Sequence, residues 1–279
     1  MILHSNNIKT RGDYCLARKI LITSGKGGVG KTTVCVNLGS ILSQMGSKVL
    51  LVDADLGLNN LDIVLGLESK IVYDIYDVVL GRCRPVQAIV STCDNNNLFV
   101  LPASKDIKSL GLHTQALSSI VADLDQLYDY ILIDSPAGIE KGFVRTLNLT
   151  KEAIIVTTPH ISSIRDADKV YNILNSVGFN VFNIVINRVR GDQIVNKESL
   201  SIEFISEYLG INIIGAIPED DEINNQLLIG GQLKQITPSY LSFKYMSKYF
   251  ITGKVQLYDC TKRYKGLIGA VRRQLRKII

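Results

Sequence analysis

The run Gly25-Lys26-Gly27-Gly28-Val29-Gly30-Lys31-Thr32-Thr33 combines residue types that can hold a phosphate chain, at the spacing G-x-x-x-x-G-K-T. Glycines let successive backbone N–H groups turn inward on the phosphates. A lysine at Lys31 reaches the β- and γ-phosphates, and the Thr32 hydroxyl can ligate Mg²⁺ at a helix N-terminus. The flanks suit that reading: the apolar Lys19-Ile20-Leu21-Ile22-Thr23 reads as a strand and residues 34–42 as a helix. Lys26 is a second cation, inside the loop, where it points away from a nucleotide that its own loop holds. It is either a solvated surface charge or a group that something outside its own loop receives.

Polar residues also leave other apolar runs. Asp53 closes Val49-Leu50-Leu51-Val52 and opens an acid-rich loop containing Asp55 and Asp62, placed to sense a γ-phosphate. Asp134 closes Tyr130-Ile131-Leu132-Ile133, a pattern that sets a carboxylate beside a magnesium shell. Asn187-Arg188 follows Ile184-Val185-Ile186. In open parallel sheets, ligands gather at the carboxyl ends of strands, which is where these residues fall. A strand-terminal Asp caps the next turn at least as often as it does chemistry, so spacing alone leaves the roles of Asp55 and Asp134 open.

The elements that must position these residues follow from periodicity. Strand-like runs lie at 20–23, 49–53, 98–101, 130–134, 153–157, 181–187 and 213–217, several apolar throughout as strands covered on both faces are. Helix-length stretches lie at 32–45, 114–128, 162–177 and 200–208. This alternation predicts an α/β fold, a doubly wound and mostly parallel sheet, ending in a C-terminal amphipathic helix. The domain plan is an N-terminal extension over 1–18, expected to be disordered, a nucleotide-binding domain over 19–252, a polar tether over 253–264 and a last helix over 265–279.

With 279 residues, 46% hydrophobic and 20% charged, the chain suits one large α/β domain. No apolar run approaches the ~20 residues that span a bilayer. The extension carries Asn6, Asn7, Lys9, Arg11 and Asp13 but no signal-peptide core, so the chain is expected to stay where it is made. Cys15, Cys35, Cys83, Cys93 and Cys260 are odd in number and scattered, which predicts free thiols in a reducing compartment. His4, His113 and His160 are isolated, so no metal is expected beyond nucleotide-bound magnesium.

The last fifteen residues hold a second kind of chemistry. At 100° per residue, Leu267, Ile268, Val271, Leu275, Ile278 and Ile279 fall within about a third of the helix circumference, and Arg272, Arg273, Arg276 and Lys277 on the opposite arc. That pattern suits an anionic membrane surface; the alternative is a helix that covers its own domain. From Asp259 onward there are seven Lys or Arg and one Asp, against a whole-chain charge of +5, so the rest of the chain is nearly neutral. A near-neutral core argues against nonspecific DNA binding, which rests on phosphate contacts.

Taken together, residues 26–33, 53–66, Leu101-Pro102-Ala103-Ser104, 134–140, 162–168 and Ile217-Pro218-Glu219-Asp220 resemble the MinD family of septum-site-determining ATPases, within the deviant Walker A (ParA/MinD) branch of P-loop proteins. The resemblance runs from about Lys19 to Thr252 and includes the tail. It implies ATP and Mg²⁺ as cofactors and an ATP-held homodimer in which Lys26 reaches the partner's phosphates. It also implies that Lys31 and Thr32 bind phosphate and magnesium and that Asp134 lies near magnesium, through water. Asp55 would be the switch carboxylate that orients attacking water, Gly138 part of a second switch, and Asn187, Arg188 and the turn around Pro218 the base-binding elements. A MinE-type activator, a MinC-type inhibitor and peripheral residence on an anionic membrane are implied too, at the inner face of a cell or plastid inner membrane, from the cytoplasm or stroma. Two tails in one dimer would raise membrane avidity by roughly 10²–10⁴ over one. The second reading is a ParA-like DNA-partitioning ATPase. An iron–sulfur reductase of this branch would need cysteines in the second switch, and residues 134–140 contain none.

Overall fold

The computed structural model describes residues 16–55, 60–92, 97–104, 114–229 and 233–276. Of the extension 1–18, residues 1–15 lie outside the described residues, as do Cys93, His113, Lys277, Ile278 and Ile279, whereas Ala17 is buried and Arg18 belongs to the first strand. The first half runs β1 (Arg18–Thr23), α1 (Lys31–Gln44), β2 (Val49–Asp53), α2 (Asn60–Leu65), α3 (Ile75–Val79), β3 (Val90–Ser91), β4 (Leu98–Leu101), α4 (Thr114–Leu124) and β5 (Tyr130–Asp134). It continues with α5 (Lys141–Val144), β6 (Glu152–Thr157), α6 (Ile161–Ser176), β7 (Val181–Val189), α7 (Gly191–Val195), α8 (Ile202–Leu209), β8 (Ile213–Pro218), α9 (Asp221–Ile229), α10 (Pro238–Thr252) and α11 (Gly266–Leu275).

The strands form one sheet in the order β3-β4-β2-β5-β1-β6-β7-β8, parallel throughout except for the β3–β4 pair. Alternate residues of each strand feed two separate cores. Leu21, Leu50, Val52, Ile131, Ile133, Ile155 and Ile186 face α4, α6 and α8. Ile20, Ile22, Leu51, Leu132, Ile154 and Val185 face α1 and α10. Coverage on both faces is why these strands read as unbroken apolar runs. β1 is central, and the chain winds from it first toward β2 and β4, then after β5 toward β6, β7 and β8. The carboxyl ends of β1, β2, β5, β7 and β8 therefore open onto one crevice.

α1 is buried along most of its length between sheet and α10. Gly39 permits this, since a β-carbon there would stand 2.6 Å from Leu51 Cδ2. α10, which the periodicity did not reveal, is capped by the Thr237 hydroxyl accepting from the Tyr240 N–H, starts on Pro238 and stops at left-handed Gly253. α4 ends at Leu124, four residues short of the expected 128. The segment 253–264 is not a free tether. Cys260 is buried against the domain, and Gly191 at the start of α7 sits so close to it that a β-carbon would overlap the Cys260 carbonyl.

Candidate functional site

The glycine-rich loop leaves β1 and enters α1 at Lys31. Gly28 and Gly30 take left-handed backbone, with φ of 76° and 94°. Gly30 is needed for a close approach as well: a β-carbon there would stand 2.2 Å from Asn187 Nδ2. Asn187, at the end of β7, donates Nδ2 to the Val29 carbonyl at 2.8 Å. Ser24 Oγ donates to the Lys26 carbonyl at 2.9 Å. The loop is thus braced from inside and from the neighbouring strand. Lys31 is buried beneath it, whereas Lys26 is exposed.

Under the loop, Thr32 Oγ1 donates to Asp134 Oδ2 at 2.6 Å, and Asp134 is fully buried. Its other oxygen, Oδ1, is buried without a hydrogen-bond partner. Asp53 faces Asp134 in register across β2 and β5 and accepts from the Asp55 and Leu61 N–H groups at 3.0 and 3.3 Å. Burial, reinforced by the charge of Asp134, pushes Asp53 up to about 8 despite those two donors. Burial also raises Asp134 to about 6, against the pull of Lys31 and the Thr32 hydroxyl. Asp55 is half-buried and raised for the same reason, with Lys31 opposing. Hard oxygen donors crowded beside one ammonium, with one carboxylate oxygen unpaired, fit Mg²⁺ better than any softer ion.

A further wall of the crevice is built from the ends of β7 and β8. The β7–β8 pairing slips between Ile186 and Val189, and Arg188 takes φ of 55°, a left-handed conformation uncommon outside glycine. Its side chain is turned outward, and with Lys26, His160, Arg190 and Glu219 it lines a cavity of about 430 Å³ above the loop. Arg190 forks onto Asp192, Nε to Oδ1 at 3.0 Å and Nη2 to Oδ2 at 2.7 Å. Pro218 ends β8 and borders a second cavity of about 230 Å³ that reaches Tyr264 and Arg276.

Lys31, Thr32, Asp55 and Asp134 are brought together, with Gly25–Thr33 above them. Asn187 lies under the loop, where its Nδ2 grips the loop backbone. Arg188 stands near the end of β7 and Pro218 at the end of β8. Spacing did not single out Asp53 as the partner of Asp134, nor Arg190 and Glu219. Their signal was available, since each sits at or just past a strand's carboxyl end. At the other end of the chain, Leu267, Ile268, Val271 and Leu275 of α11 are 91, 73, 59 and 57% exposed, so the tail does not cover its domain with its apolar face.

A doubly wound sheet whose central strand runs into a glycine loop, with a Thr bonded to a buried Asp beneath, defines a P-loop nucleotide-binding protein. Residues 20–230 match the CobQ/CobB/MinD/ParA nucleotide binding domain, and the chain belongs to the MinD branch of that family. It is 37% identical over 261 residues to the septum site-determining protein MinD of Synechocystis sp., across 92% of this chain and 98% of that one. A chain of the MinC:MinD cell division protein complex from Aquifex aeolicus superposes with a TM-score of 0.77 at 40% identity, covering 86% of this chain and 98% of that one. The septum site-determining protein MinD of Pyrococcus horikoshii complexed with Mg-ADP superposes with a TM-score of 0.78 at 32% identity, over 85% and 97% of the two chains.

Proposed function

We propose that this chain is an Mg²⁺-dependent ATPase that helps place a division septum, dimerising on ATP and binding an anionic membrane through α11. The observation that carries this reading is the bare apolar face of α11 on a P-loop domain of the MinD branch. The loop N–H groups and Lys31 bind the phosphates. Thr32 and Asp134 would hold Mg²⁺, Asp134 with the oxygen that has no other partner. When bound, the ion would supply neutralisation of phosphate charge. Asp55 orients the attacking water, and Arg188, with the Pro218 turn, bounds the base. Lys26 is exposed at the cavity mouth, as a residue serving a second subunit's phosphates must be.

Membrane residence follows nucleotide state because one short tail binds marginally and two bind together. Hydrolysis separates the tails and releases the protein. A MinE-type activator completes the switch geometry, and the Aquifex complex with MinC supports a MinC-type inhibitor as a further partner. The setting is the cytoplasm or a plastid stroma, at the inner face of the bounding membrane. Leu275→Glu places a charge in the apolar face of α11 at a distance from the phosphate loop. It is expected to abolish ATP-dependent co-sedimentation with phosphatidylglycerol-containing vesicles while leaving ATP turnover in solution intact, and undiminished vesicle binding contradicts the reading.

A further inference from the structure

A polar tie crosses the interior between α1 and α9, and the phosphate site described above makes no use of it. Asn37 in α1 and Gln226 in α9 are both buried, and their amides bond each other in both directions: Asn37 Nδ2 donates to Gln226 Oε1 at 2.8 Å and Gln226 Nε2 to Asn37 Oδ1 at 3.1 Å. Asn37 Nδ2 also donates to the Thr33 carbonyl at 2.9 Å, in the turn of α1 that continues the phosphate loop. Among residues 221–226 of α9, only Gln226 is buried and Ile223 is half-buried, so an amide pair does much of what an apolar stripe does for the longer helices. α9 begins directly after the turn Pro218-Glu219-Asp220 that ends β8. Asp220 ties that turn to both following helices, since Oδ1 accepts from the Glu222 N–H at 3.2 Å and Oδ2 from the Ser239 N–H and hydroxyl at 3.1 and 2.8 Å. The turn is thus continuous with α9, and Asn37–Gln226 joins α9 to the helix that carries the phosphate loop.

We infer that Asn37 and Gln226 are positioning residues for nucleotide binding: their amide pair sets the spacing between the phosphate loop at the head of α1 and the turn before α9, and with it the share of affinity that the nucleoside contributes. The inference rests on the nucleotide reading above, in which the Pro218 turn bounds the base. A ligand that spans two walls gains fully from both only when they already stand at the spacing its own bonds dictate, so a preset spacing adds affinity without any contact to the residues that set it. Two amides bonded in both directions meet at one separation and one orientation, whereas apolar side chains in the same place would let α9 slide along α1. A mismatch in length is not absorbed in place, because a buried amide left without its partner costs more than the bond itself returns. α9 and the turn before it therefore shift when one arm changes length. The phosphates are held by loop N–H groups and Lys31, which move with α1 itself. The two halves of the nucleotide therefore respond differently to the pair.

The test uses the full chain with Mg²⁺ and two probes, ATP and inorganic tripolyphosphate, which offers the phosphates without a nucleoside. Affinities are read by competition against a fluorescent ATP analogue. Gln226→Asn shortens one arm by a methylene and Asn37→Gln lengthens the other, while the double variant restores the summed length with both amides present. Each single variant is expected to bind ATP about tenfold more weakly with tripolyphosphate affinity held within about twofold, and the double variant to regain most of the ATP affinity. General damage to the core gives no such recovery. Where a single variant does not fold, recovery of the fold and of ATP affinity in the double variant is the same test, and its failure overturns the inference. Equal losses for ATP and tripolyphosphate overturn it, because the pair then supports the loop rather than the spacing. Parental ATP affinity in the single variants overturns it as well, with the nucleotide reading intact. If the parent binds ATP no more tightly than tripolyphosphate, the reading of the Pro218 turn falls and takes the inference with it. If the parent binds neither probe, the nucleotide reading itself falls.

Discussion

Asp134 gives one carboxylate oxygen to Thr32 and keeps the other buried and unpaired, with Asp53 beside it across the sheet. Both acids are raised above the ordinary carboxylate range, so near neutral pH the nucleotide-free fold binds more protons than the unfolded chain. Stability then falls as pH rises from about 4 toward 8. Asp53→Asn removes the stronger of the two shifts and is expected to flatten that fall, read as Tm against pH by calorimetry without nucleotide; an unchanged slope would place it elsewhere. Asn187→Ala leaves the Val29 carbonyl without its donor, at a cost of about 1–3 kcal/mol. A lowered Tm together with weaker ATP binding is expected, and loss of ATP binding alone would return Asn187 to the base. Asp55→Ala is expected to cut turnover by roughly 10²–10⁴-fold with ATP still bound. Unaltered turnover would identify a different carboxylate as the one that orients water. The loop and Asp134 were legible from spacing because their chemistry is written in consecutive residues. The hold of Asn187 on Val29 was not, because it joins residues 158 apart in the chain.

α1 shows how an element can hide its role. It is covered by the sheet on one side and α10 on the other, so its apolar residues run nearly all round and only the phosphate loop before it marks its start. Gly39→Val drives a branched side chain into Leu51 and is expected to destabilise the fold by about 1–3 kcal/mol in denaturant titration; a neutral result would mean that α1 can slide on β2. The parallel strands were legible because burial on both faces leaves an unbroken apolar run. α10 was missed although Thr237, Pro238 and Gly253 frame it, since several of its polar residues face inward: buried Ser242 donates to the Ala216 carbonyl and half-buried Tyr249 to Asn183. β3, two residues long and antiparallel at the edge, leaves almost no pattern to read. The segment 253–264 is polar in composition, yet Cys260 fixes it to the domain, a contact that composition cannot show.

At the scale of the whole molecule, the phosphate loop and α11 lie at opposite ends of the chain and meet around α7. Arg190 faces the cavity above the loop, Asp192 bridges it to Arg276, and the apolar stripe of α11 stands free beyond. Lys26→Ala is expected to keep ATP binding in the monomer and to abolish the ATP-dependent dimer in light scattering; a dimer of undiminished stability would remove the lysine from the interface. The central claim is that nucleotide controls membrane residence through the tail. It is tested most directly by co-sedimentation with anionic vesicles in Mg-ATP and in Mg-ADP, using the full chain and a chain ending at Tyr264, which retains the buried Cys260. Pelleting in ATP alone, and of the full chain alone, is the expected result. Equal pelleting in both nucleotides, or pelleting of the shortened chain, would contradict it.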